Sequence, residues 1–132
     1  MIGDVEKMIV VGLVWGTTNS LMRRGAVLWD QKLRSAPQPP SGRWRIVALV
    51  CRWIELLLSW QYSVPFIINL MASAAFFYIL SDSPISVAVP VTNATTFAAT
   101  AMSAMLLGEE MKVGRAFLGT FLIVLGVYVC IN

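Results

Sequence analysis

The sequence predicts an all-α, polytopic membrane protein with four transmembrane helices, and three observations carry that prediction. Hydrophobic residues make up 58% of the chain and charged residues 13%, with a mean hydropathy of +0.73; soluble domains lie nearer half apolar and a quarter charged. The apolar residues gather into segments close to the ~20 residues that a helix needs to cross a hydrocarbon core. Nearly all the basic residues fall between those segments. Four spans and short loops use up 132 residues, so 1–132 is expected to form a single transmembrane domain. The net charge of +3 does not point to nucleic acid, because basic loops are how membrane proteins set their orientation.

The first span is expected over about 5–22. Its start carries Asp4 and Glu6 instead of a basic region, and no small-residue cleavage motif follows, so it reads as a retained helix. Gly12 and Gly16 lie four apart on one face, a spacing that lets a neighbouring backbone approach closely. They are candidates for helix packing or for dimerisation. Thr17, Thr18 and Asn19 follow, either supporting that packing or lining a polar path.

Residues 23–60 read as a basic loop with an embedded helix. Arg23, Arg24, Lys32, Arg34, Arg43 and Arg45 stand against a single acid, Asp30, and the central SAPQPPSG cannot remain helical. In Trp44–Ser59 an apolar run is interrupted by Arg45, Arg52 and Glu55. It is either an amphipathic helix at the membrane interface, where indoles and arginines settle, or the tilted start of the second span.

The second span is expected over about 61–80, with Pro65 in its first turns. Tyr62, Phe66, Asn69, Ser73 and Phe76 share a face at helical spacing. Asn69 is the strongly polar group at mid-depth, and an amide there avoids lipid and seeks a partner. The tight Ser81–Pro84 turn makes the second and third spans antiparallel neighbours, with serine capping the next helix and proline in its first turn. The third span, about 84–107, has 24 residues without a charge. Pro90 interrupts it and frees a carbonyl one turn back. Thr92, Asn93, Thr95 and Thr96 follow at once. This is either a kinked packing helix with back-bonded threonines or a substrate-contacting wall, whose candidates are Asn69, Pro90, Thr92, Asn93 and Thr96. Glu109 and Glu110 end it as a solvated charge cluster. In the fourth span, about 113–131, Gly119 and Gly126 share a face that suits a partner helix, so they join Gly12 and Gly16 as packing or dimer candidates.

Charge then orients the chain. Nine of the ten Lys and Arg residues fall in 23–60 and 108–115. The excess of basic residues on the cytoplasmic side of membrane proteins puts both loops in the cytoplasm and both termini in the lumen or outside.

Several motifs resemble a known family. Trp15-Gly16, Ser83-Pro84 leading to Pro90, Leu107-Gly108-Glu109-Glu110 and the Gly119…Gly126-Val127 spacing resemble one four-helix EamA-like unit, or a small multidrug resistance protein, of the drug/metabolite transporter superfamily. A closer match is available. Trp15-Gly16-Thr17, Arg23-Arg24, Tyr62-Ser63-Val64-Pro65-Phe66, Asn69, Ala88-Val89-Pro90, Asn93 and Leu107-Gly108-Glu109 are similar to the transmembrane protein 234 family. That resemblance implies a four-helix membrane unit able to pair as a dimer. Small multidrug resistance proteins carry a proton-binding glutamate in their first helix; aligning Gly16-Thr17-Thr18 with their Gly-Thr-Thr places Leu13 at that position. A proton antiporter needs a group whose protonation competes with substrate, and this sequence holds no Asp or Glu in the central half of a span, Glu55 excepted where Trp44–Ser59 is threaded into the membrane.

Two functions are therefore expected. One is a dimeric transporter unit for a small neutral or zwitterionic solute or a lipid headgroup. The other is a non-transporting subunit that binds another membrane protein or anionic lipid. Membrane lipid and a second copy or membrane-protein partner are the expected partners. An enzyme is not expected: there is no histidine and no base beside Cys51 or Cys130. No cofactor or metal site is expected.

Overall fold

The frame of the fold is its first helix. α1 runs Ile2–Arg34, 33 residues, or ~50 Å at 1.5 Å per residue. That exceeds a hydrocarbon core of ~30 Å. The structure is a computed structural model that describes residues 2–37 and 42–132; residues 38–41, the centre of the expected proline-rich hinge, lie outside the described residues. The helix runs on well past Met22, the expected end of its span. Arginine and lysine are good helix formers, so Arg23 and Arg24 do not stop it. Asp30 and Arg34 close an i,i+4 ion pair at 2.8 Å on the extension. The helix stops ahead of Pro37, whose ring restricts the residue before it.

Trp44–Leu58 forms a separate helix, α2. Ser59 is extended (φ −69°, ψ 126°) and breaks it from α3, Trp60–Asp82. Its amide and hydroxyl both turn back to cap α2, donating to the Leu56 carbonyl at 3.1 and 2.8 Å. Along α2, Ala48, Arg52 and Leu56 face inward, while Trp44, Val47, Val50, Ile54 and Leu57 form an exposed apolar stripe. α4 spans Ile85–Leu106 and α5 spans Val113–Ile131. The α3–α4 turn departs from expectation in one detail. Pro84, extended, occupies the cap position with no side-chain cap, and its carbonyl receives the Val87 and Ala88 amides. The α4–α5 turn is a Schellman closure: Gly108 takes φ +80°, and the Glu109 and Gly108 amides donate to the Ala104 and Met105 carbonyls at 3.0 Å.

Among the described residues three helices, α3, α4 and α5, are long and apolar enough to cross a membrane. This is a multi-pass membrane protein. α1 falls short on composition although it packs lengthwise between α3 and α4. The principal partners run in the order α3, α1, α4, α5, with α2 set against α3. Met8, Val11, Ile79 and Ala88 form the buried core, with Trp15, Phe76, Leu80 and Val91 around it. The exposed surface is 9574 Å², whereas a compact soluble protein of 14.5 kDa would expose about 6,900 Å². The excess is apolar flank of an open row of helices, turned toward lipid.

Candidate polar seams along the first helix

Two seams run along opposite sides of α1. On the α4 side every approach is backbone-close. A Cβ built on Gly12 would lie 2.6 Å from Thr95 Cβ and 2.8 Å from the Thr92 carbonyl oxygen; one on Gly16 would lie 2.5 Å from both Ala99 Cβ and the Thr96 carbonyl oxygen. One turn further on, Ser20 Oγ donates to the Thr100 carbonyl at 3.0 Å. Gly12 and Gly16 thus pack inside the chain and are not available to a second copy. Gly119 and Gly126 differ: an added Cβ would meet nothing within 4 Å at either. A third close approach, at Gly25, has no small-residue spacing to mark it in the sequence. It lies nine residues past Gly16, half a turn round the helix, and so meets α3, where its Cβ would sit 2.9 Å from the Gln61 carbonyl oxygen.

On the α3 side the contacts are hydrogen bonds. Asn69 Nδ2 donates to Thr18 Oγ1 at 2.8 Å and to Asn19 Oδ1 at 3.2 Å. Trp15 Nε1 donates to Ser73 Oγ at 3.2 Å and to the Asn69 carbonyl at 3.3 Å, and the Trp15 ring packs against Phe76 with centroids 5.1 Å apart. Asn69 therefore finds its partners on α1. Trp15, Thr18 and Ser73 complete a network that could be anticipated only in part, from a lone indole and an amide at similar depth.

The expected wall on α4 divides. Thr95, Thr96 and Thr100 donate back to the carbonyls of Val91, Thr92 and Thr96 at 2.7–2.9 Å. Thr92 is fully buried, and its Oγ1 has no hydrogen-bond partner. Asn93 points out, exposed beside Phe97, with no hydrogen-bond partner among the described residues; Pro90 is half-buried between the two faces. Adjacent residues on a helix diverge by ~100°, so Thr92 and Asn93 cannot share one wall. At the basic end Arg23 Nε lies 3.5 Å from Glu109 Oε1, tying α1 to the α4–α5 turn, so that Arg23 joins the charge cluster there.

Chemically, the groups turned inward between the spans are amides, hydroxyls and an indole N–H. They can hold helices together or bind neutral polar groups. Among the described residues no cluster of His, Cys, Asp and Glu is placed to hold a metal ion. The larger clefts lie at the basic end and are lined by none of Asn69, Pro90, Thr92, Asn93 or Thr96.

Helices long and apolar enough to span, joined by short turns and offering lipid an open apolar flank, define an integral multi-pass membrane protein of uncharged interior. The chain belongs to the transmembrane protein 234 family. The family model described as "Putative transmembrane family 234" matches residues 8–131. The chain is similar to the transmembrane protein 234 homolog of Dictyostelium discoideum, 32% identical over 131 residues that cover 98% of this chain and 94% of that protein. It is similar also to the homolog of Anopheles gambiae, 30% identical over 129 residues that cover 96% of this chain and 84% of that protein. No solved structure matches.

Proposed function

We propose that this chain is one four-span unit of the drug/metabolite transporter type that works as a pair. A path for a small neutral solute or a lipid headgroup would form where the outward α4 faces of two copies meet. α1 is then the fourth span, held between α3 and α4 with its small and polar residues turned toward them. Loops 23–60 and 108–115 lie in the cytoplasm and both termini lie on the opposite side.

The observation that carries this reading is Asn93. An amide near the middle of an uncharged span, exposed and without a partner among the described residues, is costly against lipid and calls for a polar neighbour. Asn69 cannot supply it, since Thr18 and Asn19 engage its amide. A second copy can.

In reconstituted vesicles, Asn93→Leu should abolish flipping of headgroup-labelled lipid or uptake of zwitterionic solutes. Asn93→Cys should form a disulfide between two copies. Unchanged transport in Asn93→Leu refutes this site. A second reading, a non-transporting subunit of a larger membrane assembly, is favoured by the closure of both α1 seams within the chain. A stoichiometric foreign partner in mild detergent, with no Asn93→Cys cross-link, would select it.

A further inference from the structure

We infer that the cleft between the end of α1 and α2 binds the headgroup end of an anionic phospholipid, with Arg52 as the phosphate ligand and Trp29 and Trp53 flanking the glycerol and upper acyl chain. The inference rests on neither transport nor pairing.

The cleft measures about 390 Å³, within the ~300–1,000 Å³ of ligand sites. Its walls are mostly apolar: Trp29 and Leu33 of α1 face Leu49, Trp53 and Leu56 of α2. Its depth fits a headgroup. Arg23 meets Glu109 where α4 gives way to its turn, and the cleft opens one turn beyond, at Ala26. α4, at 22 residues, is ~33 Å long, so its end lies near one face of a ~30 Å core. The exposed apolar stripe of α2 holds that helix against lipid instead of water, so the cleft opens to the bilayer interface.

Charge selects the occupant. Arg52 reaches into the cleft, half-buried, and among the described residues no carboxylate lies within ion-pair distance of it. Glu55, three residues on, does not pair with it. Among the described residues the Arg52 guanidinium makes one hydrogen bond, Nη2 donating to the Pro37 carbonyl at 3.5 Å. Asp30 also lines the cleft, but Arg34 holds that carboxylate at 2.8 Å. Lys32, seated over the Trp29 ring 5.0 Å from its centroid, lies outside this cleft, in a neighbouring hollow that Glu55 also lines. A guanidinium among indoles and leucines suits a phosphate that carries acyl chains. A water-soluble phosphate would leave those walls unfilled.

The test is native mass spectrometry of the full chain, extracted in mild detergent from vesicles of equal phosphatidylserine and phosphatidylcholine. Phosphatidylserine should be retained in excess. Arg52→Gln should cut that retention about fivefold, the ~1 kcal/mol of one cation at an anionic surface, with unchanged helix content by circular dichroism. Arg52→Lys should keep most of it, and Arg45→Gln, outside the cleft, nearly all. Equal retention of the two lipids would overturn the inference. Equal losses in Arg52→Gln and Arg45→Gln would overturn it too, by assigning the binding to a diffuse basic surface. If glycerophosphoserine at equal concentration displaces the lipid, the site belongs to a soluble phosphate and the lipid assignment fails.

Discussion

Gly16→Ala places a methyl group where no space exists. Its carbon would sit 2.5 Å from Ala99 Cβ and 2.5 Å from the Thr96 carbonyl oxygen, and 2.7 Å from the Thr100 amide nitrogen. Carbon atoms prefer ~3.5–4.0 Å, so α1 and α4 must part by roughly 1 Å. Two of the three obstructing atoms are backbone, so no rotamer change relieves the clash. Overpacking of this kind costs ~1–3 kcal/mol. Replacing a helical glycine returns ~0.5–1 kcal/mol, which leaves a net loss of up to ~2.5 kcal/mol. Parting the helices also strains the Ser20–Thr100 hydrogen bond beside the contact. Gly119→Ala is the matched control: the same chemistry in open space should gain up to ~1 kcal/mol. Equilibrium unfolding in mixed detergent–SDS micelles measures both. Equal stability of the two variants would refute the close α1–α4 approach on which this fold depends.

Three further outcomes follow from the same contacts. Asn69→Leu removes the amide that joins α3 to Thr18 and Asn19 and should cost ~0.6–1.7 kcal/mol, as interhelical hydrogen bonds in membranes do, on the same unfolding scale. Thr92→Val should stabilise by ~1 kcal/mol, because it removes a buried hydroxyl without a partner; destabilisation would show that the hydroxyl binds a water or a solute. In sealed microsomes an impermeant maleimide should label Cys51 and leave Cys130 unreacted until the membrane is opened, since the proposed orientation puts them on opposite sides. Simultaneous labelling would refute their placement on opposite sides, and labelling of Cys130 alone would reverse the topology.

The lengths of α3, α4 and α5 are legible in the sequence because apolar runs between turn residues set them, and Gly108 and Pro84 fall at the turns. The length of α1 is not. The charge at Arg23 suggests a boundary, but charge ends a membrane span without ending a helix. The residues from Ala26 to Ala36 contain neither glycine nor proline, and that is the signal for the extension. The polar wall is half legible. Helical periodicity alone separates Thr92 from Asn93. Which helix receives Asn69 depends on the lateral order of the row, and that order is a property of packing between segments far apart in sequence. The glycines show the same limit. Gly16 and Gly119 look alike in the sequence, and only a neighbour's backbone tells them apart.

The weak apolarity of α1 has a consequence for how the chain is made. A translocating pore retains a helix by its own hydrophobicity, and α1 is the long helix that does not qualify. In the proposed four-span arrangement its glycines, Thr18 and Ser20 become acceptable to the bilayer only when α3 and α4 cover them. α1 is therefore secured only after α3 and α4, which follow it in the chain, have emerged as far as residue 106. A chain truncated after α3 should lose α1 from the membrane and be cleared by quality control, while a chain lacking only α5 should still insert.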